Sequence, residues 1–400
     1  MTDRAYSANW LTARRLRAHG LIVAIALWSI YLWTVATPGL RDRNGNLKGT
    51  DFLHFYTLGL VAREHRPLDL YDMKAQSKLA SARVPQAAGI DYLPLYPPQV
   101  SMLFAPLAHF SYATALAIWW IVSTAIYFLC CYWIWRACPG LQAHGVTVAI
   151  LAAAFPAFFH LIAWGQTSAL ALLCFTAMYV CLRGKRDFLA GVVLGCLAFK
   201  PQLGLAAAII FLGIAACRVV IGAALSATVQ FLAGILFYGT QAFHDWLWMM
   251  RNVRVALPFL EPKIYQTHCL RTFWSMLIPR PDLSFALYLI TAVSVLAMTI
   301  SLWRHRSASL NVRFSALLFA TVLIAPHLTV YDLVILAPAL LLLSDWLIGI
   351  APRRAPQIGT AMYCIFMFPI IGPLAKWTHI QLSVVAMTAL VVLLYRGEAD

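Results

Sequence analysis

The chain consists of long apolar runs separated by short polar turns and by two long polar segments. A transmembrane helix needs about 20 mostly apolar residues, because the hydrocarbon core of a bilayer is about 30 Å thick. The two long polar segments are 38–111, the first polar segment, and 240–283, the second polar segment. The apolar runs predict twelve membrane-spanning helices, over 21–37, 112–135, 146–163, 166–182, 188–199, 202–217, 219–239, 284–303, 314–326, 332–350, 357–375 and 379–395.

Composition excludes a soluble protein with a single core. Hydrophobic residues make up 62% of the chain and charged residues only 11%, whereas soluble domains have about 25% charged residues. There is too little polar surface here to cover such a core. We therefore predict an all-α polytopic membrane protein, with residues 1–400 forming one integral membrane domain and short interfacial helices in the first polar segment.

The positions of lysine and arginine predict the orientation. If the N-terminus is cytoplasmic, the basic clusters at 183–186, 304–313 and 353–354 lie inside, and the short outer turns carry only Lys200 and Lys376. The positive-inside rule favours this arrangement. We predict cytoplasmic termini in a cell membrane such as a bacterial inner membrane, and both polar segments outside. The net charge of +15 is explained by these Lys- and Arg-rich cytoplasmic loops. We therefore expect no nucleic-acid partner.

In this orientation the unusual polar residues share the outer face. They include Asp51, Gln166, Lys200 and the segment 326–332. A transporter more naturally places polar groups at mid-membrane, on broken helices in two related halves. The observed pattern instead favours chemistry on a lipid-linked substrate at the membrane surface.

Asp51 is the candidate catalytic residue. It stands at the start of an apolar, aromatic stretch that we expect to form an amphipathic helix at the interface. Partial desolvation there would raise the pKa of the carboxyl group, which suits a general base for a sugar hydroxyl. The alternative is a helix cap, because Thr50 or Asp51 could satisfy free backbone amides. His54 and Tyr56, in the same stretch, are candidates for sugar or acceptor binding.

Three further residues are candidates for sugar or acceptor binding. Tyr96 lies in a proline-fixed aromatic segment, whose rings could stack on a sugar; a stiff return into the membrane is the alternative. Gln166 and Gln202 stand at the ends of apolar runs, and their amides both donate to and accept from hydroxyl groups. Hydrogen bonding at a helix end explains these two glutamines equally well.

Several cations are candidates for binding a phosphate group. Lys200 lies between two short apolar runs, and a lysine at bilayer depth costs about 2.5–3.5 kcal/mol on insertion scales. The alternative is a lysine that snorkels to the surface. Arg251, Arg254 and Arg271 lie in the second polar segment, which either covers the site or is a solvated face. Guanidinium groups match the geometry of phosphate.

The segment before the tenth predicted span supplies the last candidates. His327 could contact a phosphate or orient a carboxylate. Asp332 could cap the span, or with Tyr331 contribute to sugar or acceptor binding. The sequence has no nucleotide-binding or metalloprotease motif, and its nine cysteines have no paired spacing. We expect no disulfide, metal or cofactor. A lipid carrier would then have to deliver the sugar on the outer face.

Short elements follow one another in a recognisable order between about residues 21 and 350. They are Thr50-Asp51-Phe52 with Tyr56, Leu70-Tyr71-Asp72, Tyr96-Pro97-Pro98 with Ala105-Pro106-Leu107, Gly165-Gln166, Lys200-Pro201-Gln202, and Pro326-His327 with Tyr331-Asp332. This ordered set resembles glycosyltransferase family 87, multispan enzymes similar to the polyprenol-phosphate-mannose-dependent α-mannosyltransferases. The segment 266–270 departs from the Asn/Ser-containing motif more often found in that family, which bears on the acceptor pocket.

The resemblance implies a GT-C fold, a polyprenyl-phosphate sugar donor, a glycolipid or glycan acceptor and surrounding membrane lipids. It further implies an inverting, metal-independent transfer on the outer face, with Asp51 at the catalytic position and His327 in the C-terminal Pro-His element. In this reading, Lys200 and His327 stabilise the departing phosphate. The alternatives are a transporter or flippase of polyprenyl-linked glycans, and a surface polysaccharide polymerase or ligase.

Overall fold

The protein is helical, without an extended sheet in the part that the structure describes. The computed structural model describes residues 10–253, 255, 260–261, 263–305, 307–350 and 354–399. Within these ranges the only β-pairings are two isolated bridges, Arg41 with Leu47 and Thr267 with Thr329.

The α-helices are numbered in chain order. They are α1 (Ala13–Val35), α2 (Thr50–Arg63), α3 (Met73–Arg83), α4 (Gln99–Phe104), α5 (Tyr112–Arg136), α6 (Gly145–Ala154), α7 (Pro156–Trp164), α8 (Ser168–Arg183), α9 (Asp187–Gly195), α10 (Pro201–Gly213), α11 (Cys217–Tyr238), α12 (Thr240–Arg251), α13 (Leu270–Leu277), α14 (Pro281–Arg304), α15 (Leu310–Ile324), α16 (Ala337–Ile350), α17 (Ala355–Ile371), α18 (Ala375–Thr378) and α19 (Leu382–Ala399).

These helices confirm the prediction of an all-α polytopic membrane protein. Among the described residues, six helical segments are long and apolar enough to cross a membrane, and the segments 139–154 and 156–164 pass the same test together with a bend of 45° between them. Five further apolar helices have 10–17 residues. Each of the twelve predicted spans overlaps one of these segments. The bend follows Phe155, where Pro156 at the first position of α7 cannot donate a backbone hydrogen bond to α6.

The outer surface of the bundle is apolar. Large aliphatic side chains are exposed on α1, α11 and α14; Leu236 is 85% exposed, Ile22 66% and Ile290 62%. A continuous apolar surface of this kind is unfavourable in water and suits contact with lipid tails. At the centre, residues 314–325 are all buried, so α15 is surrounded by protein.

Helix α2 is the exception to the expected pattern. We expected an amphipathic helix, and the amphipathic character is wrong, because every residue from 52 to 62 is buried. The stretch is apolar on all faces, and such a helix is stable only when protein covers it. A Cβ atom at Gly59 would collide with the Phe104 carbonyl group, so glycine allows α2 to approach α4 closely. The first polar segment therefore contributes α2 to the same hydrophobic core as the membrane helices.

Glycine also sets the contact between α9 and α11. A Cβ atom at Gly191 would collide with the Val219 carbonyl oxygen, and one at Gly195 with the Ala223 carbonyl oxygen. Gly222 faces the Phe188 carbonyl oxygen in the same way. Small residues at such crossings let two backbones pack directly against each other inside a membrane.

We predict that Gly191→Ala lowers the free energy of unfolding by about 1–3 kcal/mol, because the added methyl group has no space. The matched control is Gly204→Ala on α10, where the nearest heavy atom to a new Cβ would be 3.7 Å away. The measurement is the thermal unfolding of both purified variants in detergent. Equal melting temperatures for the two variants would contradict the close packing of α9 and α11.

Candidate functional site

A single large cavity brings most of the predicted site residues together. Its volume is about 1700 Å³. The first polar segment, the second polar segment, the turns at 164–166 and 199–202, and the segment 326–332 contribute to its wall. The predicted residues that line it are Asp51, His54, Tyr96, Gln166, Lys200, Gln202, Arg271, His327, Tyr331 and Asp332.

Asp51 lies at the start of α2 and is bound from the turn between α7 and α8. The Gln166 side-chain amide donates to the Asp51 carboxylate over 2.7 Å. Gly165 makes this turn possible: its φ is 72°, and a Cβ atom there would lie only 2.7 Å from the Phe52 Cβ. The Trp119 indole N–H donates to the Gly165 carbonyl oxygen over 3.1 Å and so helps to hold the turn.

The carboxyl group of Asp51 does not cap α2. The N-cap residue is Gly49, in a left-handed conformation, and no side chain caps this end of the helix. Burial raises the pKa of Asp51 to about 6; the bond from Gln166 and the charge of Lys200 oppose this rise, and the charge of Asp332 adds to it. The group is therefore ionised near pH 7 and able to take up a proton close to that pH, as a general base must.

Next to Asp51, a buried ion pair and the serine hydroxyl that bonds to both of its partners join three segments of the chain. The Lys200 ammonium lies 2.7 Å from the Asp332 carboxylate, and the two side chains are only 4% and 3% exposed. The Ser168 hydroxyl donates to the same carboxylate oxygen and accepts from Lys200 over 3.1 Å. The Lys200 ammonium also lies 5.0 Å from the centre of the Tyr331 ring, in a cation–π contact.

Asp332 has a second role in its own segment. Its other carboxylate oxygen accepts from the Thr329 backbone N–H over 3.3 Å, and the Thr329 side-chain oxygen accepts in return from the Asp332 backbone N–H, which completes a capping box. The sequence suggested that Asp332 either caps the helix or belongs to the site. Asp332 caps the turn with one oxygen and binds Lys200 with the other.

A second cluster of charges is centred on Glu261. One oxygen of this carboxylate accepts from the Arg271 guanidinium and also lies 2.7 Å from the His327 Nδ1. The Arg271 Nε–H donates to the Pro326 carbonyl oxygen. Burial acts to raise the pKa of Glu261, but the bond from His327 and the charge of Arg271 outweigh burial and lower it.

The backbone holds this second cluster against the segment 326–332. Thr267 and Thr329 form one of the two isolated β-bridges. The His268 backbone N–H donates to the Leu328 carbonyl oxygen over 3.0 Å. The Gln381 side chain donates to the Tyr265 carbonyl oxygen over 2.7 Å. The second polar segment is thus fixed over the cavity at the residues that precede α13.

The aromatic wall of the cavity comes from the first polar segment. Tyr92 donates from its hydroxyl to the Thr50 carbonyl oxygen. The Tyr71 hydroxyl donates to the Tyr96 carbonyl oxygen over 3.0 Å, and the Trp246 indole N–H to the Leu95 carbonyl oxygen over 3.1 Å. These bonds hold residues 92–96 beside α2, which places the Tyr92 and Tyr96 rings next to Asp51 and His54.

Two predicted residues that the structure describes are not in the cavity wall. Tyr56 is buried on another side of α2, where its hydroxyl donates to the Phe110 carbonyl oxygen over 2.9 Å. Arg251 is an exposed residue at the end of α12 and is not among those that line the cavity. Arg254 lies outside the described residues.

Sequence reasoning did not single out Ser168 or Glu261. Ser168 gives no signal, because it is one of several small polar residues at the edge of an apolar run. Glu261 does give a sequence signal, because it is an acidic residue in the second polar segment, which also contains the three candidate arginines. The described residues contain no group of three or more His, Cys, Asp or Glu side chains that could hold a metal ion.

Comparison with known proteins gives one match. The sequence model of glycosyltransferase family 87 matches residues 95–329, which is more than half of the chain. The matched range contains Gln166, Lys200, Arg271 and His327, and begins after Asp51. Neither the comparison with curated proteins nor that with solved structures gives a match.

We predict that Asp332→Asn lowers the free energy of unfolding by about 3 kcal/mol, because it leaves the Lys200 charge buried without its partner. The measurement is thermal unfolding in detergent. The double variant Lys200→Met with Asp332→Asn removes the buried charge and should recover most of the loss.

Asp69→Asn is the control, since it breaks a partly exposed pair with Arg66 and should cost less than about 1 kcal/mol. A loss for Asp332→Asn no larger than that for Asp69→Asn would show that the Lys200–Asp332 pair contributes little.

Proposed function

Because this chain belongs to glycosyltransferase family 87 and is a membrane glycosyltransferase, we propose that it moves mannose from a polyprenyl-phosphate carrier to an acceptor. The acceptor is a glycolipid or another lipid-linked glycan on the extracytoplasmic face, and the new linkage is α. The observation that carries the proposal is the cavity, where Asp51, with its raised pKa, faces the ion pair of Lys200 and the cluster of Arg271 and His327.

In the proposed reaction Asp51 is the general base. The Asp51 carboxylate accepts the proton of an acceptor hydroxyl while the hydroxyl oxygen forms a bond to the anomeric carbon of the donor sugar. The bond between that carbon and the phosphate oxygen breaks, and the polyprenyl phosphate leaves with the electron pair. Attack from the opposite side inverts the carbon. Gln166 supports this role, because its bond to one carboxylate oxygen orients the group and leaves the other oxygen for the acceptor.

We propose that the donor phosphate lies against Lys200, Arg271 and His327, where positive charge stabilises the departing group. Each of these side chains is bound to a carboxylate, Lys200 to Asp332 and the other two to Glu261. The Lys200 pair is deeply buried and also maintains the capping box, so we expect it to stay intact. The phosphate would instead take the place of the Glu261 carboxylate, which Arg271 and His327 bind through a single oxygen.

The remaining wall residues fit a sugar. Tyr96 and Tyr331 offer aromatic faces, and Gln202 offers an amide near Lys200. We propose that these residues bind the donor sugar and the acceptor. The location of the site on the extracytoplasmic face is inferred from the distribution of Lys and Arg among the short turns. The choice of mannose as the donor sugar is inferred from the family resemblance.

The test is transfer of labelled mannose from polyprenyl-phosphate-mannose to lipid in membranes that contain the chain. We expect a labelled glycolipid with the wild type and none with Asp51→Asn, since an amide cannot accept the proton. Asp69→Asn makes the same change at a residue of the first polar segment that does not line the cavity, and it should stay active.

The wild-type rate should fall tenfold per pH unit below about pH 6, where Asp51 becomes protonated. Full activity of Asp51→Asn would refute the base assignment. Movement of the carrier across the membrane without transfer would favour a flippase, and long products would favour a polymerase.

Glu261→Gln tests the exchange of carboxylate for phosphate. We predict that this variant lowers the half-saturating concentration of donor about tenfold, because the phosphate no longer displaces a charged competitor from Arg271 and His327. The measurement is the binding of polyprenyl phosphate to the purified variants.

The control is Glu64→Gln, which removes a carboxylate paired with Arg83 in the first polar segment and outside the cavity. Its donor affinity should not change. Weaker donor binding by Glu261→Gln would mean that Glu261 positions Arg271 and His327 and is not exchanged.

A further inference from the structure

His54 is a buried polar side chain that no group of the described protein satisfies. It is 5% exposed, and neither ring nitrogen has a hydrogen-bond partner in the described part of the chain. The ring lines the large cavity. Burying a polar group without a partner costs free energy, so its position in the wall indicates that a ligand in the cavity supplies the missing hydrogen bonds.

Helix geometry places His54 on the same face as Asp51. The two residues are three positions apart on α2, and side chains at this spacing are neighbours along a helix face. The His54 ring lies between the aromatic rings of the first polar segment, 5.1 Å from Tyr92 and 5.6 Å from Tyr96, measured between ring centres. The aromatic contacts hold the ring in the cavity wall, and no group in the described part of the chain uses either nitrogen.

The chemistry of His54 selects the kind of group that it binds. Burial lowers its pKa to about 4, so the ring is neutral near pH 7, with one nitrogen that donates and one that accepts. A sugar hydroxyl group both donates and accepts, and it is therefore a suitable partner. A phosphodiester offers only acceptors near pH 7 and is better bound by the Arg271 guanidinium of the Glu261 cluster.

We propose that His54 binds a second hydroxyl group of the acceptor sugar, next to the hydroxyl that Asp51 deprotonates. This rests on the proposed function, in which Asp51 contacts the acceptor. Two neighbouring hydroxyls of one pyranose ring are close enough to be bound by side chains one helical turn apart. His54 is then a residue that determines which acceptors bind, and the acceptor has to carry a hydroxyl beside the attacked one.

The experiment measures half-saturation by donor and acceptor separately. Membrane protein purified in detergent is given labelled polyprenyl-phosphate-mannose and the lipid extract of the host membrane as acceptor. His54→Phe keeps the aromatic contacts and removes both hydrogen bonds. We expect it to raise the half-saturating amount of acceptor extract about tenfold and to change that of the donor less than twofold.

Two further variants separate binding from structure. His54→Gln retains a donor and an acceptor and should recover acceptor half-saturation to within about threefold of the wild type. His109→Phe makes the same chemical change at an exposed residue of the first polar segment and should match the wild type.

Each result has a defined meaning. A shift in donor half-saturation alone would assign His54 to the donor sugar and overturn the proposal, as would no shift in either value. Equal losses with His54→Phe and His54→Gln would indicate a packing role and also overturn it. No transfer by the wild type would refute the proposed function, and this inference with it. If the wild type is active and His54→Phe is not, with unchanged melting temperature and donor binding, the result supports acceptor recognition by His54.

Discussion

The ion pair between Lys200 and Asp332 is the interaction on which the site depends. It connects the start of α10 with the segment before α16, and Ser168 at the start of α8 bonds to both partners. Removing two charges from water costs several kcal/mol for each ion, and the attraction between them offsets this cost only when the geometry is good. Here the hydroxyl of Ser168 and the capping bond of Asp332 supply the additional hydrogen bonds that such a pair needs.

The cavity carries positive charge that is already compensated. Asp332 neutralises Lys200, and Glu261 is shared by Arg271 and His327. Without these carboxylates, the charges of Lys200 and Arg271 would lie in surroundings of low polarity with no counter-ion. The carboxylates remove this problem, and the difference in burial between the two clusters gives them different tasks. The deep pair organises the backbone, and the shallower cluster is the one within reach of an entering anion.

The sequence was sufficient for the architecture and for the outline of the site. Apolar runs locate the spans because a bilayer demands a minimum length of apolar helix, and Asp51, Lys200 and His327 were identifiable because polar residues beside such runs are costly. The pairings were not predictable: Lys200 and Asp332 are 132 residues apart, and His327 and Glu261 are 66 apart. Only tertiary packing brings these side chains together, and no local sequence pattern indicates which of them will be in contact.

The short segment 326–332 belongs to both clusters, because His327 near its start contacts Glu261 and Asp332 at its end contacts Lys200. The charge of Asp332 in turn contributes to the proton affinity of Asp51. If this segment moves when His327 exchanges Glu261 for another partner, Asp332 moves with it. The proton affinity of Asp51 would then change. Such a linkage would make the two substrates of the proposed transfer interdependent: a donor phosphate bound at Arg271 and His327 would change the proton affinity of the group that deprotonates the acceptor, and by reciprocity the acceptor would change the affinity for the donor.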